Sequence, residues 1–347
     1  MKRLLKKHSY SQFALLMLVL LMLLVLAIYL SLTSGSFNIS VMDIMKSLLH
    51  LNSDDDQNLV VLQFRLPRII IALLVGSGLG IAGAVLQSTT GNGLADPGVL
   101  GINAGAGAAI VIFLFFFQGQ VKGIGTGTAM MMPLFGMVGG LLAALLIYLF
   151  SWQNGRLESQ RFLLTGIAIA SGMGAISLYI SLKMNANDFE MATVWSAGSI
   201  YNANWKYIIS VLPWIVILVP VIYYKSSILD VFTLDDTTTR NLGVAVEKEK
   251  ALLLLCCIGL VSACVSVAGG VGFIGLIAPH IARRLTGHKH KRMIPVCALI
   301  GALLVVTADY IGKTVFAPAE LAVGIVIAII GVPYFILLLY RKKGRTA

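Results

Sequence analysis

Charge is what this chain lacks most. Asp, Glu, Lys and Arg make up only 12% of its 347 residues, about half of the roughly 25% usual in soluble domains, which excludes an ordinary soluble core. Cysteine is almost as scarce. Cys256, Cys257, Cys264 and Cys297 all fall inside apolar runs and have no metal or redox spacing, so they read as small packing residues. Two nucleotide signatures are present only in fragments. Gly78, Gly80 and Gly83 spell GxGxxG, but inside an apolar helical run rather than after a strand, where small residues serve close helix approach. Gly312-Lys313-Thr314 resembles the end of a phosphate-binding loop, yet Thr307 occupies the position of its leading glycine. No nucleotide site is therefore expected in this chain. His288 and His290 flank Lys289 and read as part of a solvated basic turn, not a metal site. Without a visible cluster of nucleophile, base or metal ligands, no catalytic or metal-binding residues are expected, and an enzyme is disfavoured.

What the chain has in abundance is apolar length. It is 58% hydrophobic with a mean hydropathy of +0.90, and runs of about 20 apolar residues recur along it, as membrane-crossing helices require. The expected spans are 13–33, 68–90, 99–117, 129–151, 162–182, 207–224, 251–268, 271–285, 294–312 and 321–340. The reading is an all-α polytopic membrane protein of about ten transmembrane helices, forming a single transmembrane domain over 1–347. The segment 271–285 is short, glycine-rich and interrupted by Pro279, which suggests a half-span or a bent helix. The run over 13–33 follows a basic start but exceeds the about 7–15 residues of a signal-peptide core, so a retained first helix is expected.

Ten spans put both termini on one side. With tails 1–12 and 341–347 cytoplasmic, only Lys46, Arg65, Arg68, Lys122, Lys183, Lys206 and Lys313 of the 26 basic residues lie outside. This asymmetry satisfies the positive-inside rule and accounts for the net charge of +11. Membrane lipid is thus an expected partner and nucleic acid is not.

The remaining polar stretches sit at span boundaries. Gly91 to Gly107 packs glycines, a proline and an aspartate between two apolar runs. Non-helical backbone at membrane depth must be buried in protein or line a wet cavity, so this stretch is either an exposed loop or part of a pathway. Residues 34–66 form an outer excursion with a short helix expected near 40–51, ending in Arg65-Leu-Pro-Arg68 directly before the second span. Those arginines either anchor the helix at headgroups or dock an acidic partner. Trp195, Tyr201 and Trp205, within 183–206, read as an interfacial aromatic belt or a partner-facing loop. On the inner side, 234–244 offers Asp235 or Asp236 as a helix cap and Gly243 as a stop. It is either a solvated connector or a short helical element that meets a partner. Asp309 is the one carboxylate expected within the bilayer, and Lys313 four residues on is its expected ion-pair partner, in preference to a proton-relay role.

Five blocks, GNGLADPGVLG (91–101), RFLLTGIAIA (161–170), LDDTTTRNLGV (234–244), AGGVGFIGLIAPHIARRLTGHKHKRMIP (268–295) and APAELAVGIVIAIIGVPYF (317–335), together resemble the FecCD-type permeases. These are membrane subunits of bacterial ABC importers for iron-siderophores, haem and vitamin B12. The resemblance runs in order over about 60–340. It implies a permease of the bacterial cytoplasmic membrane, pairing with a second copy or a related permease. An ABC ATPase would sit below and an extracytoplasmic binding protein above. It further implies that Arg65, Arg68 and Lys313 dock the binding protein, and that Leu234, Asp235, Asp236, Arg240, Asn241, Leu242 and Gly243 couple to the ATPase. Asn92, Leu94, Glu158 and Ser159 would form the cytoplasmic gate. No cofactor is implied for this chain, since ATP is used by the partner. One departure stands out: Gly93 replaces the usual proline of NPLADPG and loosens that turn. The rival class, an ion-coupled secondary transporter, would need ionisable residues at the midplane and broken helices in paired repeats. Asp309, near a span end, is the only candidate.

Overall fold

A computed structural model describes residues 10–34, 40–49, 55–98, 101–117, 128–153, 156–234 and 236–343. Most of the expected tails, together with Asp235, lies outside these described residues. The helices are α1 (Tyr10–Thr33), α2 (Val41–Leu48), α3 (Asp55–Leu59), α4 (Leu66–Thr89), α5 (Ile102–Phe117), α6 (Thr128–Ser151), α7 (Ser159–Ser181) and α8 (Ala186–Ser196). They continue as α9 (Trp205–Tyr224), α10 (Ser226–Val231), α11 (Asp236–Asn241), α12 (Val246–Ala268), α13 (Ile274–Thr286), α14 (His290–Thr314) and α15 (Val323–Lys343). A two-residue antiparallel ribbon, β1 (Trp152–Gln153) with β2 (Arg156–Leu157), is the only strand pairing among the described residues.

Every expected span has its helix. Seven helical runs are long and apolar enough to cross a bilayer, and Ile102–Phe117 and Val323–Leu338 are shorter apolar helices. α13 has 13 residues, about 20 Å of rise against a hydrocarbon core of about 30 Å, so it is too short to cross a bilayer by itself. The break before it contains Phe273, a non-glycine residue in the left-handed region at φ 65°.

Two boundaries differ from expectation. The second span does not begin after Arg68. Helix runs from Asp55 through a π-helical turn, Val60–Arg65, directly into α4; the Leu66 N–H donates to the Val61 carbonyl five residues back, and Pro67, which has no N–H to give, follows this wider turn. Arg65 and Arg68 thus project from a continuous helix. The second difference is α8, capped by the Asn185 side chain accepting from the Asp188 N–H. Trp195, on this helix, is only 8% exposed and belongs to the core, not to an aromatic belt; Tyr201 remains exposed.

α4 is the hub, packed against α14, α12, α13 and α9. Its closest crossings are glycine on glycine. A Cβ on Gly76 would lie 2.3 Å from the Gly301 carbonyl oxygen, and one on Gly83 would lie 2.0 Å from that of Gly275. The GxGxxG spelling is therefore a helix-packing surface. Cysteine completes it: Cys264 Sγ fills the space over Gly78, and Cys257 Sγ donates to the Ala82 carbonyl.

Candidate functional site

Two polar centres lie at opposite ends of the α4–α14 pair. At the end carrying the N-terminus of α4, Arg65, Arg68 and Lys313 line one cavity of about 520 Å³ with Ser31, Gln63, Tyr201, Asn204 and Glu320. Three segments remote in sequence supply these cations' partners. Arg68 bridges two carboxylates. Its Nη2 and Nε each lie 2.8 Å from Asp309 Oδ1, and its Nη1 is 2.8 Å from Glu320 Oε2. The guanidinium also lies over the Tyr201 ring, 5.7 Å from its centroid. Asp309, whose side chain is 2% exposed, pairs directly with Arg68 rather than with Lys313, the partner that the i,i+4 spacing suggested. The reason is geometric: α4 and α14 cross so closely at their glycines that the Arg68 fork reaches Asp309 from the side. Lys313 turns instead to α1, donating to the Ser31 carbonyl at 2.6 Å and to its hydroxyl at 2.8 Å. Arg65 donates to the Leu32 carbonyl. Sequence reasoning therefore names all three cations of the cavity and one carboxylate, Asp309, with the wrong cation as its partner, and misses Glu320.

At the other end, the stretch after α4 forms a closed turn despite Gly93. Asn92 Oδ1 accepts from the Leu94 N–H and the Asn92 carbonyl accepts from the Ala95 N–H, both at 3.0 Å. These two bonds set the turn that proline would otherwise bias. Buried Asp96 then anchors the loop, accepting from Gly98 N at 3.3 Å and, across the bundle, from Phe273 N at 2.9 Å. Burial raises the Asp96 carboxyl above its ordinary pKa, while both N–H bonds pull it down. The Phe273 bond ties this loop to the strained break before α13. Beside it, Asp96, Asn103, Ser177, Thr193, Ser196 and Phe273 contribute to the wall of a cavity of about 620 Å³ between α5, α7 and α8.

Glu158 caps α7 in extended backbone, and Ser159 opens that helix. Among the described residues, no hydrogen bond or ion pair joins Asn92 or Leu94 to Glu158. The 234–244 stretch folds as α11 followed by Gly243 at φ 80°, so the expected short helix and its glycine stop are both present. Leu234 and Leu242 are exposed on it, as are Arg240 and Asn241. Asp236 begins α11, and its neighbour Asp235 lies outside the described residues. Arg240 Nη2 pairs with Glu247 Oε1 at 2.9 Å, and the other Glu247 oxygen accepts from the Leu157 N–H at 3.4 Å. Glu247 thus joins the 234–244 stretch to the ribbon just before Glu158, a link that sequence spacing could not show.

The reading of His290 also changes. It is 2% exposed, with Nδ1 2.7 Å from Asp230 Oδ1 and Nε2 2.6 Å from Ser88 Oγ. Sequence spacing shows no such Ser–His–Asp grouping because its members lie in α4, α10 and α14. It is poorly placed for nucleophilic chemistry. Ser88 stands in the last turn of α4, where the helix presents carbonyls and the negative end of its dipole rather than the N–H donors an oxyanion needs.

Comparison with known proteins agrees with this architecture. The FecCD transport family model matches residues 23–341. The chain is 51% identical over 320 residues to the iron-uptake system permease protein FeuC of Bacillus subtilis, covering 92% of this chain and 95% of that protein. It is 45% identical to the iron(3+)-hydroxamate import system permease protein FhuG of the same organism, covering 91% and 93%. Among solved structures, an inward-facing transporter described as of the metal-chelate ABC type superposes with a TM-score of 0.80 at 26% identity, covering 94% of this chain and 99% of that one. With a family match over nearly the whole length and relatives this close, the chain is a multi-pass membrane protein that belongs to the FecCD transport family.

Proposed function

We propose that this chain is the permease subunit of an ABC importer that carries an iron-siderophore complex across the bacterial cytoplasmic membrane. A separate ATPase drives it and an extracytoplasmic binding protein feeds it. The observation that carries the reading is the 51% identity to an iron-uptake permease over 92% of the chain, and the 45% identity to a hydroxamate-siderophore permease points the same way. The whole chain acts as one permease domain and pairs with a second copy or a related permease. ATP is bound and hydrolysed by the partner, and this chain holds no cofactor of its own. The basic residues' asymmetry supports cytoplasmic termini, which puts the Arg68 end outside and the His290 end inside.

In this mechanism the loaded binding protein docks over the cavity of Arg65, Arg68 and Lys313, whose clustering on one face supports a shared role. The exposed leucines and Arg240 of 234–244 meet the ATPase, with Asp235, Asp236, Asn241 and Gly243 shaping that element. ATP binding and hydrolysis supply differential contacts that shift the permease pair between outward and inward states. Asn92 and Leu94, with Glu158 and Ser159, open and close the inner exit. No bond of the substrate is made or broken.

Labelled-iron uptake in a deletion strain, across a panel of siderophores with haem and vitamin B12 alongside, tests the substrate. Loss for one siderophore class is the expected outcome, and no loss for any iron chelate would refute the iron reading. For the coupling element, substituting Arg240 and Asp236 should release the ATPase from co-purification; unchanged assembly and uptake would refute it.

A further inference from the structure

We propose that the Ser88–His290–Asp230 chain, buried at Ser88 and His290 and part-exposed at Asp230, is a mechanical tie that transmits movement of the coupling element to the gate, with His290 as its positioning residue. This rests on the permease reading above. Three segments meet at His290. Ser88, 6% exposed, lies on the last turn of α4, four residues before Asn92. Asp230 lies on α10, four residues before Leu234. His290 itself opens α14.

The bonding is doubled where it bears most. Asp230 Oδ1 accepts from both the backbone N–H of His290 and, with the ring proton on Nδ1, from the imidazole, each at 2.7 Å. Nε2 then accepts from the Ser88 hydroxyl at 2.6 Å. A protonated ring would donate to Ser88 instead, whose own hydrogen has the Ala84 carbonyl at 2.9 Å. The chain of bonds is complete in either state. α10 is also fastened at its start, where Lys225 Nζ meets Glu249 Oε1 of α12 at 2.6 Å. These contacts join α10 to α12 at its start and to α14 near its end. A displacement of 234–244 therefore reaches the end of α4, from which the Asn92–Leu94 turn hangs. Ser88 and His290 also line a cavity of about 440 Å³ with Gly91, Gly93, Leu234 and Arg283, so space for such a movement lies next to the tie.

The test uses the complete transporter, with its ATPase and binding protein, in proteoliposomes. Ligand moved per ATP hydrolysed is measured alongside ATPase association. In Ser88→Ala, His290→Ala and Asp230→Ala, the ATPase should stay bound and active while ligand moved per ATP falls by about tenfold, the scale expected for losing one buried hydrogen-bond partner. Asp230→Asn keeps an oxygen acceptor for both His290 N–H groups and should transport nearly as wild type. Unchanged ligand per ATP in the alanine variants overturns the tie, as does an Asp230→Asn variant as defective as Asp230→Ala. Should His290→Ala fail to assemble, Ser88→Ala, which removes a single oxygen, decides. Failure of the permease reading looks different: the wild-type complex itself would show no ATP-dependent uptake of an iron chelate.

Discussion

The two ends of the α4–α14 pair hold their polar residues by different means. At the Arg68 end, full charges meet full charges: one guanidinium is locked between Asp309 and Glu320. At the His290 end, a relay crosses from helix to helix: hydrogen bonds through Ser88, His290 and Asp230, and a partly exposed ion pair, Arg240 with Glu247, that leads on to the Leu157 N–H. A charge network of the first kind rigidifies a surface and presents a fixed field to whatever approaches. A relay of the second kind links segments that can shift together. Recognition suits the first, and transmission suits the second.

The largest effect is expected from breaking the charged end. Arg68→Ala leaves Asp309 buried without its partner, which should cost about 3–5 kcal/mol and be seen as a sharp loss of folded, monodisperse protein on heating. The double variant Arg68→Met/Asp309→Leu should recover most of that stability, because the cost lies in the uncompensated charge. If Arg68→Ala were as stable as the parent, the lock would be an incidental surface pair. Lys313→Ala sharpens the comparison. Its hydrogen bonds go to the neutral oxygens of Ser31 and Asp309 and Glu320 act on it only at longer range, so its loss should cost less stability than that of Arg68. Binding-protein affinity should weaken by about tenfold at low salt, and by less as salt rises; titration by surface plasmon resonance at two ionic strengths measures it.

The relay end predicts smaller changes in stability. The Arg240–Glu247 pair is partly exposed, so Glu247→Gln should move the melting temperature little, as exposed pairs contribute about 1 kcal/mol or less. Uptake should nonetheless fall if the link to Leu157 carries motion, and normal transport would remove Glu247 from the relay. The smallest effect is expected at the turn itself. Gly93 has open space, with only the Arg283 guanidinium 3.6 Å from where a Cβ would sit. Gly93→Pro should therefore stabilise by about 0.4–1 kcal/mol through the unfolded chain and leave uptake intact. A marked destabilisation would mean the turn uses backbone geometry that proline cannot adopt.

Much of this is legible in the residues alone. Arg65 and Arg68 stand out as two arginines at the mouth of one span, Lys313 joins them through the family resemblance, and the structure gathers all three around one cavity. Asp309 is recognisable as needing a partner, yet its nearest base in sequence is the wrong one, since helix crossing outweighs i,i+4 spacing. His290 misleads for a related reason. Flanked by Lys289 and Lys291, it looks solvated, but it is the first residue of a helix whose entry is roofed by α10. The available signal is Asp230, a lone carboxylate inside an otherwise apolar segment (Ile228 to Phe232), which needs a donor nearby. Residue type likewise assigns Trp195 to an interface, although it packs toward Gly107, where the missing side chain leaves room for an indole ring.

Composition and periodicity by themselves determined the class of this molecule, the number and placement of its apolar helices, and which ends carry charge. These follow from local physics: a segment's transfer into lipid depends on its own residues, and loop charge needs no knowledge of packing. Tertiary structure alone decided which polar groups pair. Hydrogen bonds and ion pairs reach only about 3 Å, and their partners here come from helices far apart along the chain. The Gly76–Gly301 and Gly83–Gly275 contacts set how closely those helices approach. That approach chose Asp309 for Arg68, Ser31 for Lys313, and both Ser88 and Asp230 for His290.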